Sequence, residues 1–216
     1  MTRRWLEEHR RDYYYRLAKR EGFRSRSAFK LLQISKKYNL IRSGDVVVDL
    51  GAAPGGWMQV ARMLVGKGGH VLGVDINPIE KFDQPNMDAI VADILSHDVL
   101  NSIKERLPRK PDVVISDVSQ NVSGIWELDH ARQIDLARSA LRIAISSLRV
   151  GGNFLTKAFQ GDLLNDFVKD VKKYFETVRV FKPRASRPSS SEVYVVAISR
   201  KRRMDGDLKQ PLVTHD

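Results

Sequence analysis

From Asp45 onward, short apolar runs alternate with longer stretches of helical period. The runs fall at 45–50 (DVVVDL), 70–75 (HVLGVD), 89–93 (AIVAD), 112–117 (DVVISD) and 152–159 (GNFLTKAF). They are rich in valine and isoleucine and continuous rather than alternating, as expected of strands covered on both faces. The clearest helical stretch is 129–148, where Ile134, Ala137, Leu141, Ala144, Ile145 and Leu148 recur at helical spacing. Strands alternating with helices predict a parallel sheet with helices on both sides. The last two runs, "ETVRVFKP" and "EVYVVAIS", have only a Pro/Ser/Arg-rich loop between them. That loop is too short for a helical crossover, so this final pair is expected to be antiparallel. The predicted fold is α/β, a doubly wound and mostly parallel sheet with one reversed strand near its C-terminal end. Residues 1–44 read as a basic helical extension packed on a main domain of 45–200, and 201–216 as a polar tail.

One strand carries an anomaly. Lys157 sits inside "GNFLTKAF", and a buried ammonium is costly unless it is paired or discharged. Topology supplies a reason for it. Asp117 ends the fourth run and Lys157 lies near the end of the fifth, so both point to one rim of the sheet. Glu192 begins the last strand, which runs the other way, so its start reaches the same rim. Lys30, in "SRSAFKLLQI", belongs to a predicted helix before the first strand, and helical period alone makes it a solvated surface lysine.

The turn "DLGAAPGGW" at 49–57 lies on that rim too, between the first strand and the helix it opens. Gly51, Gly55 and Gly56 allow close approach of a ligand, Ala52 and Ala53 leave space, and Pro54 suits a first helical turn. A helix N-terminus favours a carboxylate or phosphate. The dinucleotide fingerprint would need glycine at position 53, where this chain has alanine. Asp75 ends the second run, 24 residues after Gly51, where an acid can hold ribose hydroxyls; otherwise it is a turn carboxylate before Asn77-Pro78. Asp93 ends the third run and could accept from an adenine amino group, or cap the helix that follows. With Asp49, three acids mark three consecutive strand ends, and a nucleoside-containing cofactor is the expected ligand.

Composition narrows the setting. The 216 residues carry a formal net charge of +11, and residues 1–42 hold thirteen Lys/Arg against four Asp/Glu, so most of the excess lies there. Trp5, Tyr13, Tyr14, Tyr15 and Phe23 are interleaved with those cations. Cations can neutralise phosphates and aromatic faces can stack on unpaired bases; alternatively, the segment is a solvated helix with a few inward aromatics. There is no cysteine, which excludes disulfides and thiolate zinc sites, and no metal is expected. With no bilayer-length apolar run and no secretory-type apolar core, a cytoplasmic protein without membrane partners is expected.

"FRSRSAFKLLQI", "DLGAAPGGW", "SDVSQNVSG", "LTKAFQG" and "SRPSSSEVYVVA" together resemble, in order, the motifs of the FtsJ/RlmE-type ribosomal RNA 2′-O-methyltransferases. The resemblance runs from about Tyr13 to Arg200. It implies a Rossmann-like class I methyltransferase fold, S-adenosyl-L-methionine as cofactor, and methylation of a uridine ribose 2′-hydroxyl in large-subunit ribosomal RNA by a monomer. It also implies a catalytic set of Lys30, Asp117, Lys157 and Glu192, with cofactor contacts at Gly55, Trp57, Asp75, Asp93 and Asp117. Lys157 would accept or steer the hydroxyl proton, Asp117 would orient it, and Lys30 and Glu192 would hold the ribose in register. The family's Asp-Met-Ala-Pro-Asn segment is here Asp117-Val118-Ser119-Gln120-Asn121, without the proline. No C-terminal RNA-binding domain of the kind some relatives carry is expected. Arg184 and Arg187, with the basic N-terminal segment, would grip phosphates. Competing readings are a tRNA anticodon-loop 2′-O-methyltransferase, generally longer; a nicotinamide dehydrogenase, which the missing glycine disfavours; and an RNA-binding module without catalysis.

Overall fold

A computed structural model describes residues 13–202. Trp5, the cations before residue 13 and the tail from 203 lie outside the described residues. Helical residues 13–20 lead into α1 (Ala28–Tyr38), β1 (Val46–Leu50), α2 (Gly56–Val65), β2 (His70–Asp75), β3 (Met87–Val91), α3 (Val99–Arg106) and β4 (Val113–Ser116). Then come α4 (Trp126–Ser147), β5 (Asn153–Phe159), α5 (Leu164–Tyr174), β6 (Phe175–Phe181) and β7 (Glu192–Arg200).

The strands form one sheet in the order β3-β2-β1-β4-β5-β7-β6. β3, β2, β1, β4 and β5 run parallel to one another, whereas β7 pairs antiparallel with both β5 and β6. Only β7 runs backwards. The chain turns outward in opposite directions from β1 and β4, which opens a crevice at their carboxyl ends.

Alternating residues face opposite sides of the sheet. Val48, Leu72 and Val114 meet α3, α4 and α5 through residues such as Ile103, Leu141 and Phe167. Val47, Val71 and Ile115 meet α1 and α2 through Leu31, Ile34, Met58 and Ala61. Full burial of the central strands on both faces explains their unbroken apolar character. At the amino end, Asp112 accepts from the Val46 N–H at 2.7 Å and from Arg149 Nε at 2.5 Å, with Arg109 Nη1 2.6 Å away. This charged knot fixes the rim opposite the crevice.

Two boundaries differ from expectation. β3 spans 87–91, not 89–93, because it is a half-buried edge strand whose register weak apolar contrast does not fix. The long helix begins at Trp126, three residues before the predicted start. Among the described residues no helix is long and apolar enough to cross a membrane, and no group of three or more His, Cys, Asp or Glu could hold a metal.

Candidate active site

The loop from β1 to α2 is shaped by what its backbone must avoid. Gly51 has φ +74°, and a Cβ there would stand 2.7 Å from Val118 Cγ2 and 2.8 Å from Val118 Cα. Glycine is needed both for the left-handed backbone and for the approach of the β4 loop. α2 starts at Gly56 with Gly55 as its N-cap, so Pro54 precedes the helix rather than occupying its first turn. Arg24, which the sequence reading did not single out, ties the N-terminal segment to this loop. Its guanidinium lies 3.7 Å from the centre of the Phe82 ring and donates to the carbonyls of Glu80 at 2.6 Å and Pro54 at 3.3 Å.

A cleft of ≈ 430 Å³ opens beside Gly51 at the carboxyl ends of β1, β2 and β4, and Asp75, Asp93 and Asp117 all reach it. Asp75 both closes a turn and faces the cleft: it accepts from the Asn77 N–H at 2.8 Å and from the Ala53 N–H at 3.0 Å. Asp93 lies two residues beyond β3, and its side chain accepts from the Leu95 N–H at 2.9 Å. It does not cap α3, whose N-cap is Asp98. Gly55 and Trp57 are beside the cleft rather than on its wall. Trp57 is buried, donates from Nε1 to the Ser27 carbonyl at 2.8 Å, and packs against Tyr194 at 5.8 Å between ring centres.

Beneath the cleft, Asp49 is completely buried and neither carboxylate oxygen has a partner. Burial, reinforced by the Asp117 and Asp75 carboxylates, pushes its carboxyl well above the usual carboxylate range.

Asp117 belongs to the cleft and also to a second cluster. Lys157 Nζ donates to the Asp117 carbonyl at 2.9 Å and lies 3.4 Å from Asp117 Oδ1, which also accepts from the Tyr194 hydroxyl at 2.8 Å. Burial pulls the Asp117 carboxyl upward, but Lys157, Lys30 and the Tyr194 hydroxyl outweigh it, so the net shift is downward and the group is ionised at neutral pH. Lys30 stands 2.7 and 2.8 Å from the two Glu192 oxygens, and Ser186 Oγ shares a 2.8 Å hydrogen bond with Glu192 Oε1. Lys30 is therefore a buried, paired lysine and not the solvated one that helical period suggests. The structure thus gathers Lys30, Asp117, Lys157 and Glu192 at one rim.

Tyr194 was not singled out from sequence. The signal was there: it lies two residues from Glu192 on the same strand, and it pairs in register with Lys157. Burial, with Asp117 and Glu192 adding, pushes its hydroxyl well above the usual tyrosine range, so it serves as a neutral donor. The N-terminal aromatics divide. Tyr14 and Phe23 pack inward against Phe29, each with ring centres 5.5 Å apart, whereas Tyr13 and Tyr15 are exposed. Arg184 and Arg187 are exposed on a loop anchored by the Ala185 N–H to Gln33 Oε1 at 3.2 Å.

The profile of the FtsJ-like methyltransferases matches residues 23–200. The chain belongs to the FtsJ-like methyltransferase family. Among relatives of this family member, ribosomal RNA large subunit methyltransferase E of Methanocaldococcus jannaschii is 52% identical over 198 residues, covering 90% of this chain and 81% of that protein. The protein of the same name from Methanothrix thermoacetophila is 53% identical over 186 residues, covering 86% and 71%. A Plasmodium falciparum structure described as a ribosomal RNA methyltransferase superposes with TM-score 0.75 at 26% identity, covering 84% of this chain and all of that one. The Methanococcus jannaschii fibrillarin pre-rRNA processing protein, at 16% identity and TM-score 0.54 over 76% of this chain and 69% of that one, shares the fold. The fold is the Rossmann-like one of class I methyltransferases.

Proposed function

We propose that this chain transfers a methyl group from S-adenosyl-L-methionine to the ribose 2′-hydroxyl of a uridine in large-subunit ribosomal RNA. The observation that carries this reading is the convergence of Lys30, Asp117, Lys157 and Glu192 beside an acid-lined cleft that shares Asp117 with them. The cleft fits the cofactor. Gly51 keeps it open where a Cβ would collide, Asp75 suits two ribose hydroxyls, Asp93 suits an adenine amino group, and the ionised Asp117 suits a cationic sulfonium. When bound, S-adenosyl-L-methionine supplies an activated methyl on that sulfonium.

The protein's own groups then align and deprotonate the nucleophile. Acting as a free amine, Lys157 has two N–H donors, which serve the Asp117 carbonyl and carboxylate, and one lone pair. The remaining direction is for the 2′-oxygen, whose proton Lys157 steers or accepts. Lys30 and Glu192, locked to each other, hold the ribose in register. Asp117 fixes Lys157 at the cofactor side. The basic segment 1–44, as an extension of the 45–200 methyltransferase domain, and the exposed Arg184 and Arg187 grip phosphates in this reading. The identities of 52–53% to two proteins named for large-subunit ribosomal RNA methylation support the substrate class.

The test is Lys157→Ala. Methyl transfer to protein-free large-subunit RNA should vanish while S-adenosyl-L-methionine binding, measured by calorimetry, stays near the parent value. Near-normal turnover in the variant would remove Lys157 from the chemistry. Mapping 2′-O-methyl groups on ribosomal RNA and tRNA after reaction with the parent enzyme identifies the substrate, and modification confined to tRNA would overturn the ribosomal assignment.

A further inference from the structure

The N-terminus of α4 presents an aromatic stack that neither the cofactor cleft nor the catalytic cluster uses. Trp126 is 45% exposed, and its indole lies nearly parallel to two neighbouring rings. His130, one turn on, is 5.6 Å away at 16°, and Phe159 is 6.1 Å away at 17°. His130 is buried and Phe159 partly so, which leaves the indole as the solvent-facing ring of the three. His130 is itself fixed, accepting at Nε2 from the Leu163 N–H at 3.2 Å.

This stack stands on the catalytic rim. Phe159 is the last residue of β5, two beyond Lys157, and pairs in register with Glu192. The loop that begins at Asp117 runs directly into Trp126. Asp129 pins that loop by accepting from the Ser123 N–H and hydroxyl, both at 2.8 Å, and from the Gly124 N–H at 3.1 Å. Trp126 is thus held at both ends by the two elements that carry Asp117 and Lys157. It is absent from the walls of the ≈ 430 Å³ cleft, so the cofactor does not account for it.

We propose that Trp126 is a stacking shelf for an unpaired RNA base adjoining the nucleotide whose ribose enters the catalytic cluster. The proposal rests on the RNA ribose methylation reading. A flat ring added to a parallel aromatic stack gains stacking whatever its sequence. A ribose held at Lys157 must have its flanking bases within a few ångströms of the rim, and a splayed single strand offers their faces. Val122 and Ile125, on the loop that leads into Trp126, are exposed apolar residues as well.

Two experiments test the shelf separately from the methylation reading. In the first, methyl transfer to protein-free large-subunit RNA is measured for Trp126→Ala and Trp126→Phe. The alanine variant should raise KM for RNA about tenfold, within the range for loss of one base stack, with kcat falling less than about twofold. The phenylalanine variant should recover most of the loss, and circular dichroism melting checks that both are folded. An unchanged KM in a folded Trp126→Ala overturns the proposal. So does a loss seen on assembled subunits but not on naked RNA, since the ledge would then dock a ribosomal protein. The second experiment needs no turnover. Indole emission is titrated with a short single-stranded RNA oligonucleotide and with a duplex of the same sequence. Quenching by the single strand that disappears in Trp126→Phe supports the shelf even if the enzyme methylates a different RNA. Equal quenching in parent and variant overturns it.

Discussion

Removing one partner of the Lys30–Glu192 pair should harm stability far more than removing both. Nζ stands 2.7 and 2.8 Å from the two carboxylate oxygens, and the side chains keep only 11% and 13% of their exposure. At that distance and an effective dielectric near 20, the Coulomb attraction is about 6 kcal/mol. Desolvation of two largely buried ions takes back several kcal/mol, so the pair contributes little net stability over an apolar replacement. Lys30→Met alone, however, strands a carboxylate that keeps hydroxyl donors but has lost its cation. The expected loss is about 3 kcal/mol, or about 6–12 °C in Tm for a chain of this size. Lys30→Met/Glu192→Met should return to within about 1 kcal/mol of the parent, because the buried charge is gone. Methyl transfer should be absent in the single and the double variant alike. Urea titrations give the stabilities and initial rates on large-subunit RNA give the activity. A Lys30→Met protein as stable as the parent would refute the buried pair. A double variant that regained turnover would reduce both residues to scaffolding.

Asp49→Asn tests the orphaned carboxyl. Folding raises the Asp49 pKa, so the stability it confers is full below about pH 4 and drains away as pH climbs from there toward the raised value. The asparagine variant should therefore gain on the parent between pH 4 and pH 7 in urea midpoint, and a constant difference across that interval would contradict the assignment. Gly51→Ala should lose about 2 kcal/mol or more from the left-handed backbone and the push against Val118. It should also weaken S-adenosyl-L-methionine binding at least about tenfold by calorimetry, and unchanged affinity would move the cofactor out of this cleft.

Much of the site was legible because strand direction and residue parity are cheap to read. Asp117 and Lys157 fall at carboxyl ends of parallel strands, and one short Pro/Ser/Arg-rich loop was enough to reverse β7. Lys30 was harder. Its partner lies 162 residues away, and helical period says which residues share a face but not what that face meets. A hint existed all the same: Lys30 lies one turn before Ile34, on the flank of the stripe of Ala28, Leu31 and Ile34 that α1 buries. Asp93 was misplaced for a related reason. β3 is an edge strand of intermediate burial, its residues do not declare a register, and the acid fell into the turn beyond it.

In the proposed function, the reversed strand is what turns a nucleoside-binding crevice into a catalytic rim. Parallel strands deliver only their last residues to the crevice, and here those line the cleft or carry Asp117 and Lys157. An antiparallel strand delivers its first residues instead, so β7 brings Glu192 opposite Phe159 and Tyr194 opposite Lys157. A parallel β7 would carry Glu192 to the other end of the sheet, roughly 20 Å away at about 3.3 Å per residue. Lys30 would then have no anion to meet, and Asp117 would lose its tyrosine donor. Phe159, which that register sets opposite Glu192, also packs on Trp126 with ring centres 6.1 Å apart, so the aromatic ledge adjoins the four-residue cluster.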